Sequence, residues 1–252
     1  KLIAITSAGL ITLTGCTNPK AGQGIMVGGV TSTGALAQVR LTRTDKLVRS
    51  YVQGPSGARW DVPGKAGVVE FSLLEAGGSD VLETQLVEAK AQHDFIARAA
   101  FKKLKAGERY EIRTRIGRSV DDLEKGPTAN FKSLPGKGKA EPVQFVVVTG
   151  MNYGKFHGDE RIDRATHLAH NNTELPKPYA GPDKHLGYPA LASILKVKPD
   201  FLVGTGDNVY YDTPKDPRAE TIPELRQKWH EQFVQPRYRD LFAKVPTYWE
   251  ID

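Results

Sequence analysis

Two kinds of hydrophobic pattern divide the chain. Up to about residue 134, apolar positions recur at every second residue. Ala37, Val39 and Leu41 are separated by Gln38 and Arg40, and Val69, Phe71 and Leu73 repeat the pattern. Tyr110, Ile112, Thr114 and Ile116 alternate with Glu111, Arg113 and Arg115. A period of two puts one set of side chains on one face of a sheet, so these runs predict half-buried strands. His93, Phe95 and Ala97 predict another, with His93 in a structural place. Turn residues fall between the runs: Gly54-Pro55-Ser56-Gly57, Pro63-Gly64, Gly77-Gly78, Ala106-Gly107 and Gly126-Pro127. Short strands separated in this way predict a β-sandwich over residues 27–134, with Trp60 in its core or on a sheet face.

The second pattern begins after a Gly-, Pro- and Lys-containing linker at residues 135–142. Val143 to Val148 is almost continuously apolar, as a parallel strand buried on both faces requires. A helical stretch at residues 161–170 follows, then a Pro- and Gly-rich loop at 175–187. Leu191, Ile194 and Leu195 share one helical face within 188–197, and Phe201-Leu202-Val203 forms a second short apolar strand. Thr221 and Glu224 have the spacing of a capping box. The helix they begin carries Leu225, Trp229 and Phe233 on one side and breaks at Pro236. Residues 237–243 predict one more helix and residues 245–252 one more strand. Strand, helix, strand, helix, strand is the order of an α/β layered domain, here 143–252, behind a sandwich of immunoglobulin or fibronectin III type.

Leu2 to Leu13 is apolar, too short for an ordinary membrane span and long enough for the core of an export signal. It ends in Leu13-Thr14-Gly15-Cys16, which resembles the lipobox of bacterial lipoproteins. Residues 1–16 are therefore expected to be a lipoprotein signal peptide with Cys16 as the lipidated residue, and residues 17–26 a tether. Cys16 is the sole cysteine among 252 residues, so no intramolecular disulfide can form. The expected location is the periplasm or cell surface of a bacterium, with membrane contact through the lipid. Lys and Arg number 35 against 29 Asp and Glu, a net charge of +6 that favours anionic partners. No basic block interleaved with aromatics supports specific nucleic-acid binding.

Candidate chemistry gathers where predicted strands end. Behind Phe201-Leu202-Val203 stands Gly204-Thr205-Gly206-Asp207-Asn208-Val209-Tyr210. Gly206 permits a sharp turn at the strand end, and Asp207, Asn208 and Tyr210 offer three oxygen groups suited to hard or borderline metal ions. The same residues also suit an ordinary polar turn. Parallel strands would bring this loop beside Asn152, behind the first strand, and Asp252, at the end of the third. His157 follows the first loop closely enough to act as an acid or phosphate contact.

Over most of residues 24–252 the sequence resembles the alkaline phosphatase D (PhoD-type) metallophosphoesterases. The resemblance rests on Gly29-Val30-Thr31-Ser32 in the fibronectin-like part, on Gly206-Asp207-Asn208-Val209-Tyr210, and on the closing Tyr248-Trp249-Glu250-Ile251-Asp252. It implies a calcineurin-like four-layer α/β metallophosphatase domain, C-terminally incomplete here. It also implies hydrolysis of phosphate mono- or diesters by a metal-activated hydroxide attacking phosphorus. The family's cofactors are iron and calcium. Asp207 then corresponds to a bridging metal ligand, Tyr210 to a phenolate ligand of iron, and Asp252 to the first residue of an acidic metal-binding segment. Where the family has a cysteine in the first strand-end loop, this chain has Met151, which cannot supply a thiolate. That departure opens the site to another divalent metal, with Asn152 as an oxygen ligand. It also leaves a second reading, a surface lipoprotein whose sandwich binds a partner and whose α/β half has lost catalysis.

Overall fold

The computed structural model describes residues 17–52, 58–214 and 218–251. The signal segment, Cys16 and Asp252 lie outside the described residues. The alternating runs form β1 (Ile25–Gly28), β2 (Ala35–Arg40), β3 (Val48–Tyr51), β4 (Ala58–Asp61), β5 (Gly67–Glu75), β6 (Val81–Ala89), β7 (Ile96–Phe101), β8 (Arg109–Gly117) and β9 (Glu124–Lys132). Two antiparallel sheets, ordered β1-β2-β7 and β6-β5-β8-β9, carry the sandwich, and β3 pairs with β4 beside them. Ile25, Ala37, Val39, Phe71, Phe101, Tyr110 and Ile112 fill one core from both sheets. The period-two pattern is thus the core itself. Trp60 stands on β4 with 55% of its surface exposed, on a sheet face rather than in the core.

Two local readings change. β1 starts at Ile25, inside the stretch expected as a tether, because Ile25 and Val27 alternate into the sandwich core. The strand expected through His93 and Phe95 begins only at Ile96. Ala91–His93 is a 3-10 turn, and both Asp94 and Phe95 have positive φ, 53° and 58°. The turn drives the Phe95 ring against Gly64, where any Cβ would lie 1.9 Å from a ring carbon. Only glycine fits there.

The second half contains β10 (Phe145–Val148), α1 (Tyr153–His157), α2 (Arg164–Asn171), α3 (Pro189–Val197), β11 (Phe201–Thr205), α4 (Ile222–Phe233), α5 (Pro236–Phe242) and β12 (Thr247–Glu250). β10, β11 and β12 are parallel neighbours in that order, with Val147 opposite Val203 and Val203 opposite Tyr248. Thr221 and Glu224 form both halves of the capping box that begins α4. On one face of the sheet, Leu202 packs with Leu191, Phe233, Tyr238, Leu241 and Phe242 from the helices. On the other, Phe145 and Val147 are 54% and 53% exposed, and Phe145 stacks on Phe201 at 5.1 Å. In this half the described residues thus form one three-stranded sheet covered by helices on one face, and β10, expected to be buried on both faces, is exposed on the other.

The halves are joined through α4, whose inward face is polar. Arg59 of β4 pairs with Glu224 at 3.4 Å, and Gln227 donates to the Trp60 carbonyl at 2.6 Å. His230, 5% exposed, sits between two carboxylates: Nδ1 is 2.8 Å from Asp61 and Nε2 2.7 Å from Asp94. Each ring nitrogen thus lies within hydrogen-bond distance of a carboxylate oxygen, so the imidazole bridges two acidic side chains. Arg40 adds a two-pronged bond to Asp94 at 3.1 Å on each prong.

This cluster predicts acid lability. Burial pushes the Asp94 carboxyl up, but the bond and charge of His230, reinforced by Arg40, overrule it and hold Asp94 at about 2 against an ordinary 3.8. Burial and His230 oppose each other in the same way at Asp61, which is also held low. A carboxylate held low when folded contributes stability that is present above its unfolded value and lost as the pH falls toward the folded one. For Asp94 that contribution is on the order of 2 kcal/mol. The urea midpoint should hold steady down to about pH 5 and fall between about pH 4 and about pH 2. Asp94→Asn should start lower and fall less steeply; an unchanged slope would remove Asp94 as the cause.

Candidate functional site

The sharp turn behind β11 forms as the glycines foretold. Gly206 has φ of 84° and Asp207 follows at 49°, a left-handed conformation that Asp tolerates better than most residues. The loop is tied to its neighbour behind β10: Met151 N–H donates to the Asp207 carbonyl at 2.9 Å, and the Thr149 hydroxyl to that of Gly206 at 3.1 Å. The exposed Asp207 thus stands at the C-terminal edge of the central parallel strand, in the crevice where open α/β sheets hold ligands.

Asn208 turns the other way. It is 3% exposed, and its amide donates to the Glu250 carbonyl at 2.9 Å, tying the loop to the end of β12. Its Oδ1 lies over Gly204, where a Cβ would approach within 2.6 Å, and has no hydrogen-bond partner among the described residues. Through that bond the side chain, expected as one of the loop's catalytic oxygen groups, ties the turn to the neighbouring strand.

Tyr210 is half-buried and lines a cavity of about 970 Å³ with Lys155, His167, His170, Asp212 and Thr213. Asn152 makes two bonds within the protein. Its Oδ1 accepts from Lys155 N–H at 3.0 Å as the N-cap of α1, and its amide donates to Thr213 at 3.3 Å. Asn is a preferred cap residue, so its place behind a strand had a structural explanation equal to the metal one. Met151 is 9% exposed in the helix-side core, and its sulfur accepts from the Tyr238 hydroxyl at 2.8 Å.

His157 ends α1 inside an aromatic group, 4.2 Å from the Tyr153 ring centroid. Its Nε2 donates to Gln235 Oε1 at 3.2 Å. Burial, aided by the Lys184 charge and opposed by the Gln235 bond, lowers its pKa below the ordinary 6.5. It lines a separate cavity of about 500 Å³ with Asp159, Glu160 and Arg164, which meets the Tyr210 cavity at Lys155 and Ile162.

What sequence patterning missed is the support for the loop. α4 fastens it at three places: Gln232 to the Asn208 carbonyl at 3.0 Å, Trp229 Nε1 to the Tyr211 hydroxyl at 2.8 Å, and Lys228 to the Thr213 carbonyl at 2.8 Å. Trp229 had shown itself only as part of the helix's apolar side, and Lys228 and Gln232 gave no signal beyond helical polarity. The described residues contain no group of three or more His, Cys, Asp and Glu side chains that could hold a metal ion. Asp207 and Tyr210 offer two oxygen donors at this edge, and Asp252, expected beside them, lies outside the described residues.

Comparison with known proteins agrees at the level of fold. A solved structure of PhoD superposes over 94% of this chain and 40% of its own, with a TM-score of 0.62 at 16% identity. The chain has a PhoD-like, metallophosphatase fold. A purple acid phosphatase from yellow lupin (Lupinus luteus) seeds matches over 90% of this chain and 34% of its own, with a TM-score of 0.50 at 10% identity. This chain thus spans well under half the length of either. No family model and no curated protein sequence matches it.

Proposed function

We propose that this chain belongs to an exported phosphate-ester hydrolase of the PhoD type, and that Asp207 and Tyr210 face its metal ions. The observation that carries the reading is the Gly206-to-Tyr210 turn, set at the C-terminal edge of the middle strand in a metallophosphatase fold. A bound metal would supply electrostatic stabilisation and an activated water there. Iron and calcium are the family's metals; Met151, held in the core by Tyr238, leaves room for other divalent ions at that corner. The net charge of +6 and Lys155, which lines the same cavity as Tyr210, suit an anionic substrate, a phosphate mono- or diester. Membrane attachment through Cys16 belongs to the same proposal. No helix among the described residues is long and apolar enough to cross a membrane.

The test is an assay of the natural protein containing this chain with p-nitrophenyl phosphate and bis-p-nitrophenyl phosphate. It should be loaded in turn with iron plus calcium, manganese and zinc. Turnover of at least one ester, with metal retained through gel filtration, is expected. A folded protein that retains no metal and hydrolyses neither ester would end the proposal and leave the sandwich as a binding module.

A further inference from the structure

Gln232 is 1% exposed on α4 and stands where an apolar side chain would pack against Phe233, Tyr238 and Met151. Burying an amide there is costly unless each of its groups is bonded. Each is. Oε1 accepts from the Tyr188 hydroxyl at 3.0 Å. Nε2 lies 3.0 Å from the Asn208 carbonyl, 3.2 Å from the Met151 carbonyl and 3.1 Å from the Tyr238 hydroxyl, so two amide protons are shared among three acceptors.

The two carbonyls belong to different loops. Met151 follows β10 and Asn208 follows β11, and the loops also meet directly through Met151 N–H and the Asp207 carbonyl. The peptide groups on the C-terminal side of Asp207 are therefore fixed in succession: the Asp207 carbonyl by Met151, the Asn208 carbonyl by Gln232. With φ of Asp207 at 49°, little freedom is left in the direction its Cβ takes. Two backbone carbonyls would be orphaned in the interior if this one amide were lost.

We propose that Gln232 is a positioning residue that sets the direction of Asp207 by clamping the two strand-end loops together. Its effect on turnover rests on the phosphate-ester reading; its effect on the loops does not. Gln232 touches only protein groups, so the role is to hold the loop and not to react.

Two variants test this. Gln232→Met keeps the length and removes every polar group. Gln232→Glu keeps size and shape while placing oxygen against the two carbonyls. Amide hydrogen exchange should accelerate about tenfold in peptides spanning 149–152 and 206–212, and stay unchanged in β5 and β8 of the sandwich. In the natural protein kcat should fall roughly 10- to 100-fold with KM within about twofold, as misplacement of a reacting group predicts. Wild-type exchange in both loops, or acceleration equal in loops and sandwich, would overturn the proposal. If the unaltered protein hydrolyses no phosphate ester, the functional reading fails while the exchange comparison still decides the role of Gln232.

Discussion

Asp207→Asn is expected to lower kcat/KM for phosphate esters by about a thousandfold while leaving the melting temperature of the metal-free protein within about a degree. The substitution is unusually clean at this position. Asp207 has φ of 49°, in the left-handed region where Asn is at least as comfortable as Asp. Its carbonyl, which receives the Met151 N–H, is a backbone group and survives the change. The exposed side chain changes only in charge and in one oxygen. Loss of activity with unchanged unfolding would therefore report the carboxylate and not the turn. Bound metal should fall in the same preparation, because an amide oxygen is a poorer ligand for hard cations than a carboxylate. Full activity in the variant would take Asp207 out of the site and remove the main support for the proposed chemistry.

The turn could be read from the sequence because strand-end glycines and a following carboxylate signal through backbone geometry, which is local. The sandwich was legible for a similar reason. Tyr110, Ile112 and Ile116 alternate because one sheet face is buried, and the same residues form the core. The Thr221 and Glu224 capping box depends on a spacing of three residues and occurs as expected. Asn152 shows where such reasoning divides. A cap and a metal ligand ask for the same side chain behind a strand, and the choice depended on a helix of five residues, too short to show a period. His157 entered an aromatic cluster whose members, Tyr153, Phe156 and Tyr188, are spread over 36 residues.

The least legible feature was the inward polar face of α4. Periodicity identifies a buried helix face when that face is apolar, as for Trp229 and Phe233. Gln227, Lys228, His230 and Gln232 have no apolar spacing to mark them as buried, yet each is 5% exposed or less. Their partners, among them Asp61, Asp94, the Trp60 carbonyl and the Thr213 carbonyl, lie far away in sequence or in loops. Charge without hydrophobic spacing carries no local sign of burial. The turn that bends the chain at Asp94 was hidden for the same reason, since its use is to meet His230 and Arg40 across the interface.

His230→Phe should lower the unfolding free energy by about 3 kcal/mol at neutral pH, the scale on which a buried ion cluster responds to losing one member. Phenylalanine fills most of the ring volume, so the loss would come from Asp61 and Asp94, left buried without the imidazole nitrogens between them. Arg40 still holds Asp94, which limits the damage on that side and leaves Asp61 the more exposed partner energetically. Adding Asp61→Asn to His230→Phe should therefore cost less than Asp61→Asn alone, a non-additivity readable from urea unfolding of the four proteins. Strict additivity would mean the two side chains do not act on each other. The consequence extends to the site because α4 carries both attachments: His230 on the sandwich, and Lys228, Trp229 and Gln232 on the loop from Asp207 to Thr213. Releasing the first should loosen the second. In His230→Phe, exchange at residues 206–212 should accelerate below the temperature at which either half unfolds. Faster exchange confined to β4 and the turn at Asp94 would show instead that the helix holds the loop without help from the sandwich.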